Sequence, residues 1–208
     1  YENKIVELTK YFVLKGYKIT YMSFCKKEND EEAIERIIQK IEETEFKKTY
    51  SSEDNSRGKL EEIEQNLNNS RGKLEEVQQN PNNSRGKLEE VQVNQKNLKV
   101  IIEKYYYNGN IEEALNVLGD SQIIIGSRFH ANILGLILNK TIIPVIYSEK
   151  TKNALEDVNF KGKIIDIKNI DEFKIKELTE DDLHYKLDVS KEKENSKKHF
   201  SMLDKVLK

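Results

Sequence analysis

Cysteine is nearly missing from this chain: Cys25 is the only one among 208 residues. A lone thiol excludes an intrachain disulfide and fits a reducing compartment, so a cytoplasmic location is expected. Neither sign of charge is in excess, with 35 basic against 37 acidic residues and a formal net charge of -2. That balance supplies no broad field for nucleic acid or an anionic membrane, and neither is expected as a partner. No apolar run approaches the roughly 20 residues of a membrane span, and the N-terminus lacks the basic-then-apolar pattern of a secretion signal. A nucleophile elbow, a P-loop and a dinucleotide glycine fingerprint are absent as well. His184 and His199 have no cysteine or carboxylate at metal-ligand spacing, so they read as surface residues and no metal is expected. Asp30, Glu31 and Glu32 read as first-turn charge of a helix, not as a catalytic carboxylate pair.

Hydrophobic residues are also scarce, at 37%, but the deficit is local and lies between Glu45 and Gln95. A 14-residue unit over 55–68, Asn-Ser-Arg-Gly-Lys-Leu-Glu-Glu-Ile-Glu-Gln-Asn-Leu-Asn, recurs over 69–82 and, degrading, over 83–96. Leu60, Ile63, Leu67, Leu74, Val77, Leu88 and Val91 hold a heptad phase that suits a helix with a thin apolar seam. Against that, Gly58, Gly72 and Gly86 each cost about 1 kcal/mol in a helix interior, and Pro81 stands where the seam needs an apolar residue. Two or three apolar residues per unit cannot bury a core, and solenoid repeats have periods of about 20 residues or more. Residues 51–97 are therefore expected to be a solvated or partly helical insertion without catalytic meaning, with an oligomerisation or partner-binding arm as the alternative.

With the insertion set aside, the elements follow a regular order. Ile5, Leu8 and Phe12 mark an opening helix ending near Gly16; residues 18–24 read as a strand; Asn29 or Asp30 caps a helix carrying Ala33, Ile34, Ile37, Ile38 and Ile41. Beyond the repeats come a strand over 98–102 and a helix opened by the near capping box Asn110-x-x-Glu113 and closed by Gly119. Strands over 123–125 and 141–146, a helix after Lys150 and a short strand over 163–167 complete the pattern. Such alternation implies an α/β fold, a Rossmann-like parallel sheet with helices on both faces. Its two parts are 1–50 and 98–170, and the insertion occupies one helix-to-strand connection at the surface. Residues 171–208 read as an acidic, weakly patterned segment and a terminal helix packing Phe200, Leu203 and Val206. Tyr105, Tyr106 and Tyr107 read as packing at a strand end, with stacking on a sugar as the other reading.

Chemistry is concentrated where Ile123-Ile124-Ile125 gives way to Gly126-Ser127-Arg128-Phe129-His130. Ser127 is a good N-cap for a helix whose Ile133, Leu134 and Ile137 recur at helical spacing, while Ala131 and Gly135 allow close packing on a sheet. Arg128 and His130 then fall in the first turn, where unpaired N–H groups and the helix dipole favour an anion. Arginine adds a planar fork of donors for a carboxylate or phosphate, and histidine a group that moves a proton near neutral pH. Alone, an Arg-x-His triplet is a weak signal, because surface arginines at helix starts and satisfied core histidines are commoner. A second polar strand end, Tyr147-Ser148-Glu149-Lys150, strengthens it: strand ends of an open parallel sheet share one edge, so Lys150 can face the pocket of His130.

The succession of a strand, the Gly-Ser-Arg-Phe-His run from Gly126 to His130, a small and apolar helix, the strand from Asn139 to Ile146, the Tyr-Ser-Glu-Lys run ending at Lys150 and the Ala-Leu-Glu-Asp-Val-Asn-Phe run ending at Phe160 resembles the C-terminal half of the polysaccharide pyruvyl transferase family. The likeness is specific over 109–160 and looser over 3–41, and the repeats and the tail do not share it. It implies the C-terminal domain of a GT-B-like enzyme that moves enolpyruvyl from phosphoenolpyruvate onto a sugar of a cell-surface polysaccharide and closes it as a ketal. The family's Arg-x-His falls on Arg128 and His130, and its downstream lysine on Lys150. His130 would then be the general acid or base, with Ser127, Arg128 and Lys150 holding the donor's carboxylate and phosphate. No metal or other cofactor is required. The resemblance also implies an N-terminal Rossmann-like domain forming the other wall of the cleft, so a chain starting at Tyr1 is expected to be a fragment or truncated copy. Two other classes stay open. A GT-B glycosyltransferase or nucleotide-sugar epimerase would hold a ribose through Glu149, beside a thin glycine-rich loop. A non-catalytic binding module would use the repeat arm and a relic pocket.

Overall fold

Helix α1 (Glu2–Leu14) buries Val6, Leu8, Thr9, Phe12 and Val13 and ends in a Schellman motif. Gly16 takes a φ of 84°, its N–H and that of Tyr17 reach the Val13 and Phe12 carbonyls, and the Tyr17 ring meets Phe12 edge-on at 5.4 Å. The computed structural model describes residues 1–49, 89–95 and 98–206, which fall into two compact units, Tyr1–Asn110 and Ile111–Lys208. The fold is α/β, with parallel strands flanked by helices in the Rossmann-like manner that alternating elements imply. Among the described residues the hydrogen-bonded strands form two sheets of three, one in each unit.

In the first unit strand β1 (Ile19–Ser23) leads into helix α2 (Asp30–Thr49), and β3 (Leu98–Tyr106) lies parallel to β1, from Ile102 opposite Ile19 to Tyr106 opposite Ser23. Ile34, Ile37, Ile38 and Ile41 recur at helical spacing on α2 and join Val6, Val13 and Ile102 in the core, with Ile19 and Tyr21 packed against it. Burying side chains of this size contributes about 1.5–3 kcal/mol apiece. Strand β2 (Glu89–Gln95) pairs antiparallel with β3, Gln95 opposite Leu98, as a hairpin. It occupies the last, degraded repeat, inside the stretch read from sequence as solvated or partly helical. Val91 and Val93 alternate with Gln92 and Asn94, which is strand periodicity, and the heptad phase of the earlier units hides it. The rest of that stretch, 51–88 and 96–97, lies outside the described residues.

Strand β3 continues past Ile102, its expected end, because the charged residues that break the apolar run each find a partner. The buried Lys104 reaches Oε1 of Glu35 on α2 at 2.8 Å, and the Tyr106 hydroxyl donates to the same oxygen at 2.5 Å. These two bonds, Lys104 first, hold the Glu35 carboxyl below its ordinary range. Glu103 pairs with Lys18 and accepts from the Thr20 hydroxyl across on β1. The three tyrosines serve packing: Tyr105 is buried, Tyr106 is bound to Glu35, and the Tyr107 ring lies 6.2 Å from that of Phe24.

The second unit runs α3 (Ile111–Asp120), β4 (Ile123–Gly126), α4 (Phe129–Ile137), β5 (Thr141–Ile146), α5 (Glu149–Asp157) and β6 (Ile165–Asp166). Strand β5 is central, parallel to β4 from Thr141 opposite Ile123 to Pro144 opposite Gly126, and parallel to β6 beyond that. Thr141 through Val145 are buried without interruption, which explains their continuous apolar run. Gly135 lets α4 settle on this sheet: a Cβ there would meet Ile142 Cγ2 at 2.6 Å. Asn139 (φ 55°) and Asn159 (φ 54°) end α4 and α5 in the same Schellman geometry that Gly16 gives α1. Cations cover two helix ends, Lys140 at the Gly119 carbonyl of α3 and Lys193 at the Ile137 carbonyl of α4, the latter at 2.5 Å.

The segment read as weakly patterned is ordered onto this unit. Thr179 and Asp182 form a capping box at the start of α6 (Glu180–His184), with Leu178, Leu183 and Val189 buried and Tyr185 edge-on to Phe160 at 5.3 Å. Helix α7 (Ser190–Val206) follows; the side chains of Phe200, Leu203 and Val206, expected to pack it, lie outside those described. Among the described residues no helix is long and apolar enough to cross a membrane.

Candidate functional site

The chain leaves β4 at Gly126, passes Ser127 and stays extended through Arg128 (φ -81°, ψ 137°), which is the N-cap of α4. Ser127 is thus one residue too early for the capping role its side chain suggested, and no side chain caps this helix. The reason lies inside the protein. Asn132, fully buried on the first turn of α4, donates its amide hydrogens to the Gly126 carbonyl at 3.0 Å and the Arg128 carbonyl at 3.1 Å. Those bonds hold the turn extended as far as Arg128, so the helix begins at Phe129. Its first backbone bond runs from the Asn132 N–H to the Arg128 carbonyl at 3.3 Å. The N–H groups of Phe129, His130 and Ala131 are then the open donors that every α-helix leaves at its start.

Of the residues singled out from sequence, Ser127 and Arg128 are half-buried in this turn and His130 is exposed on the first turn of α4, its ring edge-on to Phe129 at 5.4 Å. Lys150 belongs to the first turn of α5, whose N-cap is Ser148. Its ammonium stands 4.2 Å from the centroid of the Phe129 ring, so Lys150 and the start of α4 are brought together through a cation–π contact. Strand register produces this meeting. Parallel β4 and β5 end on the same edge, and each passes directly into a helix that begins there. Two helix N-termini, an arginine and a lysine converge on that edge, an arrangement that attracts and orients an anion.

Beside it lies a cleft of about 300 Å³ at the ends of β5 and β6. Ile146, Leu155, Phe160 and Ile164 give it an apolar lining, and Tyr147, Ser148, Glu149, Lys152, Glu156, Asp166 and Lys168 line it with polar groups. None of Ser127, Arg128, His130 or Lys150 lines it. Three carboxylates there face two lysines, in contrast to the cationic turn. Among the described residues no three His, Cys, Asp or Glu side chains are grouped as metal ligands, and His184 and His199 are exposed.

Asn132, bonded to two carbonyls of this turn, is a residue that sequence reading missed. Its signal was available: a single amide among Ala131, Ile133, Leu134, Gly135 and Leu136, on a helix otherwise apolar.

Comparison with known families fits this geometry. The polysaccharide pyruvyl transferase family matches residues 1–149 of the 208, and the chain belongs to that family. The matched stretch contains Arg128 and His130 and stops one residue short of Lys150, whereas the likeness seen in the sequence ran on to Phe160. It also takes in the repeats. No curated protein and no solved structure matches the chain.

Proposed function

We propose, with membership of the polysaccharide pyruvyl transferase family as premise, that this chain takes part in transfer of enolpyruvyl from phosphoenolpyruvate to a saccharide of a cell-surface polysaccharide. The donor binds across the starts of α4 and α5. Arg128, Lys150, Ser127 and the open N–H groups of Phe129 to Ala131 hold its carboxylate and phosphate. His130 delivers a proton to the methylene carbon, which becomes the methyl group, and the adjacent carbon takes cationic character. One sugar hydroxyl bonds to that carbon, a second displaces the phosphate, and of the two hydroxyl protons one returns to His130 and the other leaves on the phosphate, giving a cyclic ketal and inorganic phosphate. Arg128 and Lys150 offset the charge that grows on the departing phosphate. The acceptor sits in the neighbouring cleft, whose near-neutral rim and half-exposed Tyr147 ring suit a polyhydroxylated ring better than an anion.

The observation that carries this reading is the 4.2 Å approach of Lys150 to Phe129, which sets a second cation beside the Arg-x-His turn. Titration calorimetry tests it. Phosphoenolpyruvate should bind the wild-type chain, and either Arg128→Ala or Lys150→Ala should weaken binding by roughly tenfold or more, the scale of a charge-assisted bond. Tighter binding of a uridine diphosphate sugar would move the reading to a glycosyltransferase or epimerase. Binding of neither would leave a non-catalytic module.

A further inference from the structure

We infer that Asn132 is a positioning residue for this site, coupled to Gly126, and that the pair sets where the anion-binding turn stands. The inference rests on the reading of the Arg128–His130 turn as the donor site, and on three further observations. Asn132 has no exposed surface, yet both hydrogens of its amide go to carbonyls of the turn, those of Gly126 and Arg128. An asparagine kept inside an apolar helix costs free energy unless its polar atoms are used, and here they are used on the backbone that carries the site's side chains. Its Oδ1, by contrast, is buried and meets no donor, so satisfying this amide fully is not what keeps it here. Finally, a Cβ on Gly126 would lie 2.7 Å from that Oδ1 and 3.2 Å from Cγ. Gly126 has an ordinary φ, so the glycine answers to the space the amide occupies and not to backbone strain.

The consequence is geometric. Without the amide, the Gly126 carbonyl loses its tie to α4 and the Arg128 carbonyl is left with its backbone bond from the Asn132 N–H, so the chain can enter the helix at Ser127, the residue whose side chain is suited to cap it. The helix would then begin one residue earlier. Arg128 would leave its extended conformation for a helical one and re-aim its side chain relative to the sheet edge, and the open N–H groups would shift one residue back along the chain, to Arg128, Phe129 and His130. Asn132 thus keeps the helix start at Phe129, where Lys150 meets it, without touching the donor itself.

The test uses the full chain, with backbone amide resonances, phosphoenolpyruvate titration and thermal unfolding followed together. Asn132→Leu keeps the branching and heavy-atom count of the side chain and removes both donors. The amide resonances of Phe129, His130 and Ala131 should move while those of Ile142 and Ile143 in β5 stay, and phosphoenolpyruvate affinity should fall roughly tenfold or more, the scale of losing one or two ordered hydrogen bonds. Ile142→Val, which thins the packing under α4 without touching the turn, should lower the melting temperature and leave affinity unchanged. A folded Asn132→Leu with wild-type affinity, or an equal loss of affinity in Ile142→Val, overturns the inference. Should Asn132→Leu fail to fold, Gly126→Ala perturbs the same lock from the other side and should produce the same resonance shifts and weakened binding; unchanged spectra and affinity there overturn it. If the wild-type chain does not bind phosphoenolpyruvate, the donor-site reading fails on its own, and movement or constancy of the three amides still decides the role of Asn132.

Discussion

Two glycines in neighbouring helices of the second unit should respond to one substitution with opposite signs. Alanine in place of a helical glycine gains about 1 kcal/mol of backbone propensity, so the packing decides the outcome. At Gly119 on α3 a new Cβ meets nothing within 4 Å, and Gly119→Ala should stabilise, by about 0.5 kcal/mol because the position is next to the helix end. At Gly135 the same Cβ would stand 2.6 Å from Ile142 Cγ2 and 3.1 Å from Ile124 Cδ1. Ile142 is 1% exposed and Ile124 7%, so neither has open space to turn into. Overpacking of this kind costs about 1–3 kcal/mol, which offsets or exceeds the propensity gain and leaves Gly135→Ala destabilised by up to about 2 kcal/mol. In a unit of roughly 100 residues that upper figure corresponds to a fall in melting temperature of about 8–16 °C. Calorimetric or circular dichroism melts of both variants beside wild type would check it. Stabilisation by Gly135→Ala would refute the close seating of α4 on β4 and β5, and with it the account of how the helix start is placed.

Other outcomes follow from single groups. His130→Ala should lower turnover by roughly 100-fold or more, as loss of a general acid or base does, with the melting curve unchanged; full activity per folded molecule would end that assignment. Glu35 is held below its ordinary range by Lys104 and Tyr106, so its contribution to stability is present above the unfolded carboxylate value and lost as pH falls through the lower folded one. Glu35→Gln should therefore destabilise the chain at neutral pH and less so in acid, and an equal effect across pH would contradict the pairing. Desolvation of the half-buried Tyr21 pushes its phenol up to about 12, against the lowering effect of its 2.5 Å hydrogen bond with Thr9. The stability it supplies is full below the ordinary tyrosine value and lost as pH rises through 12, so Tyr21→Phe should flatten the alkaline limb of the stability curve. Deleting residues 55–82, two whole repeats that stop short of β2, should leave the melting temperature within a few degrees of wild type; a larger loss would show that the repeats pack on the fold.

The elements that were legible in the sequence are those in which one local pattern suffices. The isoleucines of α2 recur at helical spacing, Ile123 to Ile125 form an apolar run between turn residues, and Gly16 stops α1 where a left-handed residue is needed. What escaped depended on partners distant in sequence. Strand β3 looked finished at Ile102 because Glu103 and Lys104 break the apolar run, yet Thr20, Lys18 and Glu35 satisfy both charges. Strand β2 was concealed by the repeat: Val91 belongs equally to a heptad seam and to a two-residue alternation, and pairing with β3 selects the latter. Thr179 and Asp182 make a capping box from aspartate where the usual pattern has glutamate or glutamine, so the tail looked unpatterned.

The same division holds within the site. Arg128 and His130 announce themselves by residue type, and Lys150 by its place after the next strand. Their arrangement, however, is fixed by the positions of α4 that interrupt its apolar character. Gly135 sets the depth of the helix on the sheet, Asn139 ends it in a left-handed turn, and Asn132 fixes its beginning from inside. Each would be scored as a weakness by hydrophobic periodicity, and each lowers helix propensity relative to alanine. An apolar helix of nine residues that was merely stable could slide or start one residue early with little loss of burial. Three weak helix formers remove that freedom, and they do so at one end, one face and the other end. The residues proposed to bear the chemistry can thus be read from their own identity, while those that seat and end the helix carrying them are visible only as departures from an otherwise regular pattern.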